Sequence, residues 1–161
     1  VVKPTTPKPA PPSETIAPRP HAAVRNSPAS TPGKTREVAG VRWSWPLPGP
    51  IERGFNPADT RKGLLIAGQS GQAVLAAASG SVVYSGNGLI GYGELIIVKH
   101  SDRMLSAYAY NRERLVGEGD RVDAGQQIAR LGQDERSRNV LHFEIRRDGK
   151  PVDPADYLPA R

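Results

Sequence analysis

The chain has 161 residues, with 22 Lys and Arg against 16 Asp and Glu, 16 Pro, 17 Gly, 37% hydrophobic and 6% aromatic residues. That length suits one ordinary domain, and the low aromatic share implies that part of the chain is not packed. With no Cys and three His, disulfides, thiolate catalysis and Cys-type zinc or iron–sulfur sites are excluded and few metal donors remain, while no apolar run approaches the roughly 18 to 20 residues of a membrane span.

Position 1 is Val, which reads as a fragment or processed product, with any export signal or lipid anchor expected upstream. Residues 1–40 are built from Pro, Ala, Thr and Ser, and hold nine of the 16 prolines but two of the 17 glycines. They show no apolar periodicity, so they cannot bury enough surface to offset chain entropy and are expected to form a disordered tether. In polyproline II geometry, at about 3.1 Å per residue, such a segment reaches on the order of 100 Å. It carries +4 of the net charge of +6, leaving +2 for residues 41–161. A nucleic-acid binder concentrates Lys and Arg with stacking aromatics on a folded face, which is the reverse of this distribution, so nucleic acid is not an expected partner.

Beyond Gly40 the pattern changes to short β-type runs between glycine-containing turns. Expected strands are Gly63–Ala67, Ala73–Ala77, Gly80–Ser85, Glu94–His100, Met104–Tyr110, Arg121–Val122, Gln127–Leu131 and Val140–Arg146. None precedes an amphipathic helix of 10 to 15 residues, so an antiparallel all-β domain with short loops is expected over residues 41–161. One helical turn is expected at Asn111–Leu115. Trp43 and Trp45, just before Pro46, are expected to anchor the tether on the domain.

Strand parity assigns faces. In Val140–Arg146, Leu141, Phe143 and Ile145 share an apolar side, and Val140, His142, Glu144 and Arg146 share the other, expected to be a surface or groove. In Met104–Tyr110 the same alternation places Ser106, Tyr108 and Tyr110 together, giving a second polar and aromatic face for the same cleft. Glu144 reads as a structural hydrogen-bond or salt-bridge partner, His100 as an unremarkable strand-end residue, and Arg136, Arg138, Arg146 and Arg147 as a basic cluster near the cleft.

The ordered series KGLLIAG (62–68), GQAVLAAASGSVVYSG (71–86), GYGELIIVKH (91–100), SAYAYN (106–111), GEGDRVDAGQQIARLG (117–132) and LHFEIRRDGKPVDPADYL (141–158) resembles the LytM-type, lysostaphin-like zinc metallopeptidase domain. Within that family it looks most like the NlpD and EnvC branch of cell-division proteins. The resemblance covers about 120 residues and implies a barrel-like antiparallel β-fold. A Pro-rich tether ahead of the domain fits the NlpD-like lipoproteins, whose LysM module and lipidated Cys are not in this sequence.

Active members of the family hold tetrahedral zinc through the His and Asp of H-x-x-x-D and the second His of H-x-H, with further histidines assisting the attacking water. By the resemblance, those motifs fall on Arg61-Lys-Gly-Leu-Leu65, Val140-Leu-His142 and Tyr108-Ala-Tyr110, so His142 alone of the three ligands is kept and both catalytic histidines are replaced. A guanidinium in place of an imidazole repels a dication: two like unit charges about 4 Å apart at an effective dielectric near 20 cost about 4 kcal/mol, and a divalent ion doubles that. No metal or other cofactor is therefore expected.

The resemblance implies a catalytically inactive regulator that binds and activates a periplasmic N-acetylmuramoyl-L-alanine amidase during septal peptidoglycan splitting. The expected contact residues are Arg61, Lys62, Leu65, Tyr110, Val140, His142 and Arg146, with Leu65, Val140 and Tyr110 at the desolvated centre. Peptidoglycan is a second candidate ligand, and the expected location is the periplasm, with outer-membrane tethering through an upstream anchor. The alternatives are a zinc-dependent peptidoglycan endopeptidase and a peptidoglycan-binding module without activator role. GDRVDAGQQIARLG also resembles biotinyl and lipoyl carrier hairpins, but their modified Lys is flanked by Met, and the single Met104 has no neighbouring Lys.

Overall fold

Residues 34–160 are described by the computed structural model. Residues 1–33 of the tether expected over residues 1–40 lie outside them. Residues 34–40, assigned by composition to the tether, instead open the folded part: β1 (Arg36–Val38) pairs antiparallel with β2 (Val41–Trp43) across Ala39 and Gly40, both at positive φ. Trp43 locks this hairpin down. Its side chain is fully buried, Nε1 donates to the Val38 carbonyl, and its ring meets His100 and Tyr157 edge-on. Trp45 Nε1 donates to the Pro159 carbonyl at 2.8 Å, so the two tryptophans fasten the start of the domain to its end.

The remaining strands are β3 (Ile51–Arg53), β4 (Leu64–Ala67), β5 (Ala73–Leu75), β6 (Gly80–Gly86), β7 (Glu94–Lys99), β8 (Met104–Arg114), β9 (Arg121–Val122), β10 (Gln127–Leu131), β11 (Val140–Arg147) and β12 (Lys150–Val152). All pairings are antiparallel, in the order β3-β4-β11-β8-β7-β6-β9, with β10 joining β5 to β8 and β12 on β11. All eight expected strands are present, seven of them within two residues at their ends, while β8 runs four residues past the expected Tyr110 to Arg114. The β11–β12 turn uses Asp148 and Gly149, both at positive φ, the combination a two-residue hairpin turn requires.

The turn of helix expected at Asn111–Leu115 is absent. Those residues through Arg114 continue β8, because β10 supplies the backbone partners: Leu131 faces Asn111, Arg130 faces Glu113 and Ala129 faces Arg114. Local helical preference in a five-residue stretch is weak beside a ladder that satisfies its N–H and C=O groups.

The main core lies on one face of β4, β7, β8 and β11, where Leu64, Ile66, Ile96, Val98, Tyr108, Leu141, Phe143 and Ile145 interlock with Trp43, Leu47, Ile128 and Leu131. Tyr108 and Phe143 sit opposite each other in the ladder with rings 5.4 Å apart. A polar chain crosses this core. The Ser79 carbonyl contacts His100 Nδ1 at 2.8 Å, His100 Nε2 meets Ser106 Oγ at 2.6 Å, Ser106 Oγ reaches Tyr108 Oη at 2.8 Å, and Tyr108 Oη accepts from the Ala77 N–H at 2.8 Å. Burial pushes the Tyr108 phenol up to about 12 and His100 below its ordinary value. His100 is thus part of the core's hydrogen-bond accounting, more than the unremarkable strand end its sequence suggests.

Candidate functional site

The opposite face of the same sheet carries the residues singled out by sequence. His142 of β11 is flanked by Leu65 on β4 and Ala109 on β8, and Glu144 is opposite Ala107. This second face was expected to be a surface or groove, and in its middle it is not. Val140, His142 and Glu144 are each at most 1% exposed, and Leu65, Tyr110 and Val140 form a small apolar cluster of their own. Leu65, Val140 and Tyr110, expected as the desolvated centre of a contact, are already buried within the chain itself. They are the packed floor of the site.

Tyr110 reaches that floor by a backbone reversal. Parity puts it with Ser106 and Tyr108, but its φ of +66° turns it out of alternation, so Tyr108 enters the main core and Tyr110 lies beside His142 with ring centroids 6.0 Å apart. Neighbouring strands hold the reversal in place: the Tyr110 N–H donates to the Tyr92 carbonyl and the Gly132 N–H donates to the Tyr110 carbonyl, both at 3.0 Å. A non-glycine residue in this region is uncommon and persists where surrounding bonds over-determine it. Periodicity carries no signal for such a switch.

The charges run in a line across β11. His142 Nε2 donates to Glu144 Oε1 at 2.8 Å, and Arg146 donates from Nε and Nη2 to Glu144 Oε2 at 2.9 and 2.8 Å. Burial by itself raises the Glu144 carboxyl, but the His142 hydrogen bond and the Arg146 guanidinium outweigh it and hold the group below its ordinary value. Glu144 is the structural partner expected of it. His142 Nδ1 is buried without a hydrogen-bond partner. Gly63 makes this packing possible, since a Cβ there would come within 2.6 Å of the Phe143 carbonyl oxygen and 3.0 Å of His142 Cε1.

Over the floor lie Tyr92, whose ring is 5.9 Å from that of His142, and Arg61. Arg61 Nη1 donates to the Tyr110 phenol, and Nη2 donates to Glu135 Oε1 at 3.0 Å. Gly91, at φ +90°, passes close enough that a Cβ would sit 2.6 Å from Arg61 Nη2. Arg61, Lys62 and Arg146 are partly exposed and form the rim. Arg138 is tied up by Asp134 and Glu52, and Arg136 and Arg147 are exposed turn and strand-end residues, so of the expected basic cluster Arg146 alone joins Arg61 and Lys62 at the site. Sequence reading missed Tyr92, Glu135 and the exposed loop tip Leu89-Ile90, the last 99% exposed at Ile90. The glycine turns at 85–88 and 91–93 mark that loop in the sequence but do not say that it lies beside His142.

A family model for Peptidase family M23 matches residues 59–154, which contain every residue of this site. The chain belongs to that family. Among curated relatives it is 53% identical over 133 residues to the lipoprotein NlpD/LppB homolog of Pseudomonas aeruginosa, covering 80% of this chain and 45% of that protein. It is 52% identical over 120 residues to the murein hydrolase activator NlpD of Escherichia coli, covering 74% of this chain and 32% of the relative. The chain thus spans less than half the length of these relatives. Among solved structures, a zinc-containing peptidase from Vibrio cholerae aligns with TM-score 0.61 and 28% identity, over 68% of this chain and 37% of that one.

Family membership raises the question of zinc, and the residues here do not fit it. Of the three positions that the metallopeptidase motifs designate, His142 offers a nitrogen, Leu65 has no lone pair, and Arg61 brings a permanent positive charge. Both oxygens of nearby Glu144 are engaged by His142 and Arg146. Among the described residues no group of three His, Cys, Asp or Glu side chains converges on a point.

Proposed function

We propose that this domain is a non-hydrolytic regulator that binds and activates a periplasmic N-acetylmuramoyl-L-alanine amidase for septal peptidoglycan splitting. The observation that carries the reading is the exchange of metal donors for a packed floor, at 52% identity to a protein named a murein hydrolase activator. A family site that has lost its donors yet keeps a defined floor and a cationic rim is suited to contact rather than hydrolysis. Leu65, Val140, Tyr110 and His142 support the groove, and Arg61, Lys62 and Arg146 face the partner. An activator acts by preferring the partner's active conformation, since a two-state protein shifts only by the difference in affinity it experiences. The lipoprotein name of the Pseudomonas relative, together with the name outer membrane antigenic lipoprotein B of a Haemophilus influenzae relative, supports a periplasmic setting with outer-membrane tethering. The residues before the domain serve as the tether.

The test is dye release from labelled sacculi by purified periplasmic amidases, with and without the full chain. Stimulation that is lost on joint charge reversal of Lys62 and Arg146, with the circular dichroism spectrum unchanged, supports the reading. Unchanged stimulation removes the groove from it, and digestion by the chain alone together with stoichiometric zinc replaces it with a peptidase.

A further inference from the structure

The three rim cations are not equivalent, and the difference lies in their carboxylates. Arg146 is paired with Glu144, which is 1% exposed and also holds His142, so releasing it would strand a buried charge. Lys62 has no ion-pair partner among the described residues. Arg61 is paired with Glu135, whose side chain is 68% exposed, through one contact at 3.0 Å. The guanidinium itself is fixed from below by the Tyr110 phenol and packed by the Gly91 backbone. The loop bearing Glu135 is pinned separately, because Asp134 Oδ1 accepts from the Arg136 and Arg138 N–H groups and Oδ2 from the Arg138 side chain. Loop and cation are thus each held without the Glu135 carboxylate.

We propose that Glu135 is an internal placeholder on Arg61, displaced when an acidic side chain of the partner enters the groove mouth. The proposal rests on reading the groove as the partner-binding site and names the chemistry of what enters it: an acidic segment of a protein. On exchange Arg61 trades one carboxylate for another, and Glu135 returns to water it already largely contacts, so no charge is left buried and unpaired. The same exchange at Arg146 is closed off by the burial of Glu144. Arg61 is therefore the selective cation of the rim, and Glu135 sets the threshold an acidic partner must exceed. An exposed pair of this kind weakens the competing ligand by a factor of about two to five.

The probe is a tetraglutamate peptide titrated into the full chain at low salt and followed by NMR. Glu135→Gln is expected to tighten binding roughly two- to five-fold. Glu118→Gln, the same charge change in the exposed turn near the β9 edge of the sheet, controls for the net charge and is expected to have little effect. Arg61→Gln is expected to weaken binding and to cancel the gain from Glu135→Gln in the double variant. A gain no larger than that of Glu118→Gln, or one that persists without Arg61, overturns the placeholder. Repeating the series with a purified periplasmic amidase separates the two ideas. Amidase binding without a Glu135→Gln gain keeps the groove reading and rejects the placeholder, whereas the full peptide pattern without any amidase binding keeps the placeholder and rejects the groove reading.

Discussion

The guanidinium of Arg61 donates to the phenol of Tyr110, a residue 49 positions later whose φ of +66° has turned its ring out of its strand's alternation. By the family resemblance both residues stand at positions where the metallopeptidase motifs have histidine, and their hydrogen bond closes the site from above. Tyr110→Phe keeps the ring in the cluster with Leu65 and Val140 but removes the acceptor. It is expected to cost about 1 to 2 kcal/mol in urea unfolding, with no change in the unfolding slope.

Glu144 holds two partners from a fully buried position. Glu144→Leu removes both bonds to Arg146 and the bond to His142 Nε2, so that neither ring nitrogen of His142 has a partner. Because the Arg146 side chain is 34% exposed and can turn to water, a loss of about 1 to 3 kcal/mol is expected by chemical denaturation. A loss below 1 kcal/mol would mean that the pair contributes little.

Acid should destabilise the domain in two stages. Burial lowers His100 below its ordinary value, so the unfolded chain takes up its proton first and stability declines as pH falls below about 6.5. Glu144 is also held below its ordinary value, so its contribution is present above the unfolded carboxylate range near 4.3 and disappears as pH falls through the folded value. Denaturation midpoints measured from pH 8 to 3 should show both declines, and His100→Asn should flatten the first.

Gly63 meets β11 so closely that no side chain fits. Gly63→Ala places a methyl 2.6 Å from the Phe143 carbonyl oxygen and 2.8 Å from Glu144 Cγ. Separation of β4 from β11 at a cost of about 1 to 3 kcal/mol is expected, read as a lower melting temperature together with shifted His142 ring resonances.

Zinc should not stabilise the chain. A metal that binds the folded state raises its melting temperature in proportion to the logarithm of concentration over dissociation constant. After chelation and dialysis, added zinc is expected to leave the melting temperature unchanged, whereas a saturable rise would restore a metal site to this groove.

Much of this was legible in order and spacing. The strands, the Asp148-Gly149 hairpin and the shared face of Leu141, Phe143 and Ile145 follow from alternation and turn chemistry, because these depend on neighbours in the chain. The replacement of metal-donor positions by Arg61 and Leu65 is likewise a property of the sequence alone. What covers the second face of β11 is not, since parity groups side chains without saying whether another segment lies over them. The loop carrying Tyr92 and the approach of Arg61 bury His142 from distant parts of the chain. The strand at Asn111–Arg114 depends on β10 in the same way, and the reversal at Tyr110 on bonds from Tyr92 and Gly132. Sequence by itself determined that, by the family resemblance, Arg61 and Leu65 stand where zinc donors are expected. Only tertiary structure decided that the floor is closed and that the accessible groups are its rim of cations, because burial is set by contacts between segments far apart in the chain.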